Sequence, residues 1–157
     1  MDSPRRPNRR ASHVWTLLLR LEYAWLRLTD PLIRPAWRAG GLGITVDLRV
    51  RGRRTGRQRA VLLGLLEVGG RWYVGHPNGD VGWTRNLARA GEAIVAWPTG
   101  VNHRVRAERL ADGDERDAVI LATAHQQPFP GNLVYRAARS HILARGAYFR
   151  LDPFVDD

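Results

Sequence analysis

Residues 44–70 read ITVDLRVRGRRTGRQRAVLLGLLEVGG. Apolar residues from Ile44 to Val50 alternate with polar ones, which is the pattern of a half-buried β-strand. Glycines enclose a turn at 52–56, and residues 58–67 predict a second strand whose apolar run, Val61–Leu66, is typical of burial on both faces. Gly69-Gly70 predicts a tight turn into a third strand. The stretch therefore predicts antiparallel strands joined by short turns.

Downstream of this stretch, short strands and short helices alternate. The patterns predict strands at 71–75, 93–97, 101–110 and 147–151, and helices at 82–90, 112–126 and 132–144. Pro98-Thr99-Gly100 has the composition of a hairpin turn. Short strands in hairpins with helices at the ends predict a small antiparallel barrel with peripheral helices.

The N-terminal region differs in character from the rest of the chain. Residues 1–11 are polar, basic and proline-containing, and predict a flexible basic arm. Ser12 is a suitable cap for an amphipathic helix over 12–29, which Asp30-Pro31 is expected to end. The helix carries one apolar stripe, formed by Val14, Leu17, Leu18, Leu21, Trp25 and Leu28.

We expect this stripe to pack on a single domain, residues 12–157, so that the helix closes a pocket. The alternative is a helix that lies on a membrane surface. Arg20 and Glu22 interrupt the apolar residues too early for a transmembrane span or a signal peptide.

Positive charge is unevenly distributed along the chain. All 25 basic residues are arginine, and the formal net charge is +10. Residues 1–59 hold 14 arginines and four acids, whereas residues 60–157 hold 11 of each. The asymmetry favours a polyanionic partner, which could be a phosphorylated cofactor, a nucleic acid or an anionic membrane surface.

The 157 residues include no cysteine, which excludes disulfides, thiolate nucleophiles and thiolate metal sites. The histidines show no ligand spacing, so no metal is expected. The lack of cysteine agrees with a reducing compartment. We therefore expect a cytoplasmic location, with membrane association if the N-terminal helix binds a lipid surface.

The turn after the first strand, GRRTGRQR at 52–59, combines glycines with arginines. Two glycines four residues apart allow positive φ and close ligand approach, and freed N–H groups can form an anion-binding nest. Thr55 adds a hydroxyl group, and four side chains add positive charge: Arg53, Arg54, Arg57 and Arg59. The other interpretation is an exposed hairpin turn in an arginine-rich chain.

A second segment, HPNGDVGWTRNL at 76–87, runs from the end of a strand through a loop into a helix. A helix N-terminus attracts anions. Trp83 could line a planar ring or simply pack. Asn86 lies three residues later on the same helical face, and its amide can both donate and accept hydrogen bonds.

The elements follow one another as strand, GRxTGxxR turn, apolar strand, Gly-Gly turn, strand, glycine-rich loop and WxxNL. This order resembles that of the deazaflavin-dependent nitroreductases, which use coenzyme F420. The resemblance covers Ile44–Val95 and the final strand, Ala147–Pro153. It implies an α+β fold: a small antiparallel split β-barrel of the FMN-binding type, with N-terminal and peripheral helices. It also implies that both segments bind the cofactor, through Arg53, Arg54, Thr55, Gly56, Arg57, Gln58, Arg59, Gly82, Trp83 and Asn86.

The activity implied by the resemblance is hydride transfer from reduced coenzyme F420 to a small-molecule acceptor, namely a quinone, a nitroaromatic or an activated alkene. Tyr135 is the expected catalytic proton donor. The expected substrate-facing residues are His76, Tyr135 and Tyr148.

Two alternatives stay open at this point. The same barrel could hold FMN, as related flavin reductases do. The chain could also be a non-catalytic protein that binds a lipid-like ligand or an anionic surface. No nucleic-acid motif is present, so no specific nucleic-acid partner is expected. We expect a monomer or a homodimer.

Overall fold

The computed structural model describes residues 9–155, and within this range the chain forms five helices and seven strands. The helices are α1 (His13–Gly40), α2 (Gly82–Ala90), α3 (Asp114–Gln126), α4 (Gly131–Ala137) and α5 (Arg139–Arg145). The strands are β1 (Thr45–Arg51), β2 (Gln58–Gly64), β3 (Leu66–Val68), β4 (Arg71–His76), β5 (Glu92–Ala96), β6 (Asn102–Arg109) and β7 (Ala147–Pro153).

The strands form one antiparallel sheet in the order β2-β1-β5-β6-β7-β4-β3. Strands β2 and β3 therefore occupy opposite ends of the sheet, although only Leu65 separates them in the chain. One residue spans at most about 3.6 Å, so the two ends of the sheet must approach each other. The sheet curls into a split barrel, and the predicted α+β split-barrel fold is confirmed.

Apolar side chains pack on both faces of the sheet, as the alternation along a strand requires. Phe149 of β7 packs in a core cluster with residues of β1, β4, β5 and β6 and with Trp83 and Leu87 of α2. The preceding residue, Tyr148, belongs to a second cluster that includes Ile120 of α3 and residues of α5. Helix α2 therefore covers one face of the sheet, and α3 and α5 cover the other.

Several predicted boundaries are wrong. The predicted strand 58–67 is two strands, because the chain bends at Leu65, whose N–H donates to the Ile44 carbonyl at 2.9 Å. The apolar run Val61–Leu65 is half-buried rather than buried on both faces, because Val61–Gly64 borders a cavity. The predicted helix 132–144 is likewise interrupted at Ala138, between α4 and α5.

The predicted end of the first helix at Asp30-Pro31 is also wrong, because α1 continues through Pro31 and Pro35 to Gly40. Each proline removes one backbone donor, and tertiary contacts compensate for this loss. Arg34 donates to Asp30 at 2.6 Å and to Asp47 of β1 at 3.1 Å. Trp37 is 4% exposed, and its indole N–H donates to the Thr45 carbonyl at 2.9 Å.

The apolar stripe predicted to pack on the domain is on the outer face of α1. Its six residues are all exposed, from 47% for Leu18 to 78% for Leu28. The inner face instead carries Leu19, which is 2% exposed, and the half-buried Tyr23. The prediction was wrong because the inner face mixes polar and aromatic residues, so that the more apolar face is the exposed one.

Most of the predicted basic arm, residues 1–11, lies outside the described residues. Of its last three residues, Arg9 pairs with Asp117 of α3 at 2.6 Å. The backbone N–H of Arg10 donates to Ser140 Oγ at 2.8 Å. The N–H of Ser12, immediately before α1, donates to His141 Nδ1 at 3.0 Å.

Gly75 of β4 allows a test of how tightly Tyr148 packs on this face of the sheet. It lies opposite Tyr148 across the strand pair, and a Cβ at this position would meet Tyr148 Cδ1 at 2.2 Å. We expect Gly75→Ala to lower the free energy of unfolding by about 1–3 kcal/mol through overpacking. Gly40→Ala is the matched control, because a Cβ there meets nothing within 4 Å. Equal urea unfolding midpoints for the two variants would contradict the expectation.

Candidate functional site

A cavity of about 990 Å³ lies between α1, the β1–β2 turn, β2, the end of β4 and the start of α2. Residues Ala60–Gly64 of β2 form an apolar wall, and Leu19, Leu26 and Tyr23 of α1 face the same space. Thr123, Gln127 and Gly131 border it from α3 and the start of α4. This volume is within the range of small-molecule and cofactor sites.

Ten of the thirteen site residues predicted from the sequence line this single cavity: Arg53, Arg54, Thr55, Arg59, His76, Gly82, Trp83, Asn86, Tyr135 and Tyr148. The other three, Gly56, Arg57 and Gln58, lie in the same segment but do not line the cavity. The structure thus brings the two sequence segments and both tyrosines together. Their roles in binding or catalysis stay predictions.

Arg53 joins the two sequence segments directly. Its backbone N–H and its Nη1 both donate to Asn86 Oδ1, at 3.2 and 3.0 Å, and Nη1 also approaches the Gly82 carbonyl at 3.4 Å. These bonds fix the β1–β2 turn against the first turns of α2. The Asn86 oxygen, predicted to face a cofactor, is therefore engaged by Arg53.

Bonds within the turn use part of the backbone N–H groups that were predicted to form an anion-binding nest. The Gly52 N–H donates to the Arg57 carbonyl at 2.8 Å, and the Gly56 N–H donates to the Gly52 carbonyl at 2.9 Å. Gly56 has φ +68°, a conformation that favours glycine and closes the turn on itself. Three arginines of this segment, Arg53, Arg54 and Arg59, border the same end of the cavity.

The N-terminus of α2 adds to the positive potential of this end. The helix begins at Gly82, and its first backbone hydrogen bond runs from the Arg85 N–H to the Val81 carbonyl at 3.1 Å. The N–H groups of Gly82, Trp83 and Thr84 precede that bond, as at any helix start. The arginine side chains and the helix N-terminus together form what we call the cationic end of the cavity.

Trp83 is mainly a core residue. It is 7% exposed and packs on Phe149, with ring centroids 6.4 Å apart. Only part of its surface borders the cavity, so it can flank a ligand there without forming a broad stacking platform.

His76 is a buried neutral imidazole at the end of β4. It is 7% exposed, and burial lowers its pKa from 6.5 to about 4. Its Nδ1 accepts from the Asn78 N–H at 3.3 Å, which assigns the proton of the neutral ring to Nε2. The His76 and Tyr23 rings pack edge to face, with their centroids 5.0 Å apart. At neutral pH, His76 is therefore a hydrogen-bond donor without charge.

Two phenols define the other end of the cavity, which we call the tyrosine end. Tyr148 is 1% exposed, and its hydroxyl has no hydrogen-bond partner among the described residues. Burial raises the pKa of Tyr148 to about 12. Burial, followed by the neighbouring Tyr148 and Glu22, raises the pKa of Tyr135 well above its ordinary value. Both phenols hold their protons at neutral pH.

The unpartnered Tyr148 hydroxyl is informative because a buried polar group without a partner costs about 1–3 kcal/mol. Tyr148 borders the cavity, but its hydroxyl oxygen is fully buried near Thr123, which lowers the pKa against the larger effect of burial. A ligand therefore reaches this hydroxyl only if the side chains around it shift.

Helix α1 was expected to close a pocket through its apolar stripe, whereas the opposite face of the helix borders the cavity. Glu22, Leu26 and Asp30 recur every four residues and all border it. This spacing was the available signal, but the longer apolar stripe on the opposite face obscured it. Burial raises the pKa of Glu22, which is half-buried beside the phenols.

Comparisons with known proteins support the fold. No protein-family model matches the chain, and no curated protein matches it. A solved structure of an F420-H2 dependent reductase superposes with a TM-score of 0.54 at 18% identity, covering 69% of this chain and 94% of that one. The haem storage protein HutZ from Vibrio cholerae superposes with a TM-score of 0.54 at 16% identity, covering 81% of this chain and 91% of that one.

A conserved hypothetical protein from Mycobacterium tuberculosis gives a TM-score of 0.53 at 12% identity, with 71% of this chain and 73% of that one covered. At these identities the similarity shows a shared split-barrel fold.

Two features are absent from residues 9–155. Their helices include no segment with the length and hydropathy needed to cross a membrane. Within the same range, no group of three or more His, Asp or Glu side chains is arranged to hold a metal ion.

The depressed pKa of His76 predicts a pH dependence of stability. Between pH 6.5 and about 4 the unfolded chain binds a proton at this imidazole, whereas the folded chain does not. The free energy of unfolding should therefore fall as the pH drops through this interval, by up to about 3 kcal/mol. This loss of unfolding free energy is measured by urea unfolding at about pH 7 and about pH 4.5, for the wild type and for His76→Gln. The variant should lose less stability on acidification, and parallel losses would contradict the assignment.

Proposed function

We propose that the chain is an oxidoreductase that holds coenzyme F420 in the cavity and reduces a quinone, a nitroaromatic or an activated alkene. The observation that carries the proposal is the polarity of the cavity. Arg53, Arg54 and Arg59 border it beside the start of α2, and apolar residues of β2 and the Tyr135 phenol border it as well. The similar fold of the F420-H2 dependent reductase supports the same interpretation.

The residues present fit such a cofactor. The cationic end suits its phosphate and its tail of carboxylates, because guanidinium groups bind both anions through paired hydrogen bonds. Gly82 has no side chain and leaves space beside the first turn of α2. When bound, the reduced deazaflavin supplies the hydride, and no protein nucleophile is required.

The side chains of this chain would bind, orient and supply protons. Leu62 and Leu63 of β2 form an apolar wall that excludes water from the ring-binding part of the cavity. Tyr135 Oη carries a proton at neutral pH, as a phenol does, and it is the proposed proton donor to the reduced acceptor. His76 Nε2 is a further donor that can orient an acceptor oxygen.

Binding of coenzyme F420 by the purified full chain tests the cofactor assignment. We expect a dissociation constant in the micromolar range or tighter, and Arg54→Ala with Arg59→Ala should weaken it about 10- to 100-fold. These two arginines are chosen because Arg53 also holds α2 in place. Arg89→Ala, on the exposed end of α2 away from the cavity, is the charge control.

The absence of coenzyme binding by the wild type would exclude the proposal. FMN is the competing cofactor, since its phosphate would suit the same arginines. A mass spectrum of small molecules released from purified protein distinguishes the two cofactors.

We further propose that α1 attaches the protein to an anionic membrane surface. Seven exposed apolar side chains share the outer face of this helix: Val14, Leu17, Leu18, Leu21, Trp25, Leu28 and Leu32. Trp25 is 65% exposed, and tryptophan is favoured at membrane interfaces. A continuous apolar face of this kind is typical of a helix that lies in the interface plane.

Charge on α1 favours a lipid surface over a second copy of the chain. Arg20, Arg27 and Arg38 are exposed and recur at helical spacing on α1, and Arg27 also borders the cavity and lies over the Tyr23 ring. The two acids of α1, Glu22 and Asp30, border the cavity. The outer face thus offers apolar and cationic groups but no carboxylate that would pair with the arginines of a second copy.

Vesicle sedimentation tests membrane attachment. The full chain should sediment with vesicles of mixed anionic and zwitterionic phospholipid, and less with zwitterionic vesicles alone, because the arginines prefer negative charge. Leu21→Glu with Trp25→Glu should lower the bound fraction at least about tenfold, since each places a carboxylate in the apolar face. Leu133→Glu, on the exposed surface of α4, is the control. Concentration-dependent dimers that dissociate in the double variant, without sedimentation, would instead indicate a second copy.

A further inference from the structure

A second, smaller pocket of about 390 Å³ lies on the other side of Tyr23 and His76 from the large cavity. Four arginines from four different elements border it: Arg20 of α1, Arg85 of α2, Arg109 at the end of β6 and Arg145 at the end of α5. Their convergence is a property of the fold, because these residues are far apart in the chain.

The positive charge of this pocket is only partly compensated. Asp80 is the one acidic residue that borders it, and it pairs with Arg109 at 2.7 Å. Among residues 9–155, the other three arginines form no ion pair, which leaves a net charge of about +3 around the pocket. The pKa of Asp80 is lowered by Arg109 and, to a lesser degree, by Arg85, so this carboxylate already experiences both cations.

The base of the pocket is rigidly built. The Asn78 side chain bonds to the Thr16 carbonyl at 3.1 Å and to His141 Nε2 at 2.8 Å. Gly79 has φ +90°, and a Cβ there would lie 3.0 Å from the Arg145 carbonyl, so glycine lets the loop approach the end of α5. The arginines therefore surround an ordered loop.

We propose that this pocket, which we call the arginine pocket, binds a compact polyanion: a phosphate ester or a ligand with two carboxylates. Guanidinium groups that converge without counterions are the arrangement that such anions stabilise. The pocket is separate from the cationic end, whose arginines border the large cavity only. The anion can be a free small molecule or the charged substituent of an acceptor whose reactive part lies beyond Tyr23 and His76.

Inorganic pyrophosphate is the probe, titrated calorimetrically into the full chain at constant ionic strength and without coenzyme. Arg85→Gln with Arg145→Gln should weaken binding at least about tenfold, because each removes a charge from the arginine pocket alone. The control pair, Arg89→Gln with Arg136→Gln, removes two exposed charges that border neither pocket and should stay within about twofold of the wild type. Thermal unfolding of each variant checks its fold, and Arg85→Gln alone replaces the pair if the pair fails to fold.

Several outcomes would overturn the inference. Equal losses in both pairs would mean that pyrophosphate responds only to overall charge. A loss confined to Arg54→Gln would place pyrophosphate at the cationic end of the large cavity. The absence of binding at millimolar pyrophosphate would exclude the site.

Enzyme kinetics distinguish a free anion from the charged substituent of an acceptor. This kinetic experiment rests on the proposed reductase activity. If the pocket selects acceptors, Arg85→Gln with Arg145→Gln should raise KM for a carboxylated acceptor about tenfold and leave KM for its neutral analogue unchanged. If both KM values stay unchanged while pyrophosphate binding is lost, the ligand is a free anion. Because the calorimetry uses no coenzyme, failure of the reductase proposal leaves its result interpretable.

Discussion

The architecture depends on the one-residue connection between β2 and β3. These strands are the two ends of the sheet, and a single residue, Leu65, joins them. The sheet must therefore curl until its ends meet. The hydrogen bond from the Leu65 N–H to the Ile44 carbonyl holds the bend against the start of β1. Closure of this kind leaves β2 with a neighbour on one side only, and its apolar residues border a cavity instead of a second layer.

The cavity in turn depends on how the turn before β2 is fixed. Arg53 bonds to Asn86, which ties the turn to α2. The backbone N–H groups of Gly52 and Gly56 are used within the turn itself. The arginine side chains that border the cavity are long, so the charge of the cationic end is less tied to one ligand shape than a backbone nest would be.

The sequence predicted the fold class and the grouping of most site residues. Helix α2 begins and ends where it was predicted, because Gly82 follows a loop and Gly91 ends the helix with φ +67°. These features are local and can be recognised from neighbouring residues. The errors concern properties that depend on distant partners. Helix α1 passes through two prolines because Arg34 and Trp37 contact β1, and no local pattern encodes those contacts.

The same limit explains which parts of the site were missed. The arginines of the β1–β2 turn form a continuous motif, so the sequence alone could identify them. The arginine pocket is assembled from residues 20, 85, 109 and 145, which only the folded sheet and helices bring together. The orientation of α1 was assigned incorrectly because hydrophobicity indicates which residues avoid water, not which partner removes them from it.

Helix α1 connects the two proposed functions physically. Its inner face borders the cavity with Glu22, Tyr23 and Leu26, while its outer face is apolar. Movement of this helix against the barrel would change the environment of His76, whose ring contacts Tyr23 at 5.0 Å. An outer face held at a lipid surface would restrict that movement and position the cavity near apolar acceptors dissolved in the membrane. Attachment and access to the tyrosine end are therefore two consequences of one element, and a change in the outer face of α1 should alter acceptor KM more than coenzyme affinity.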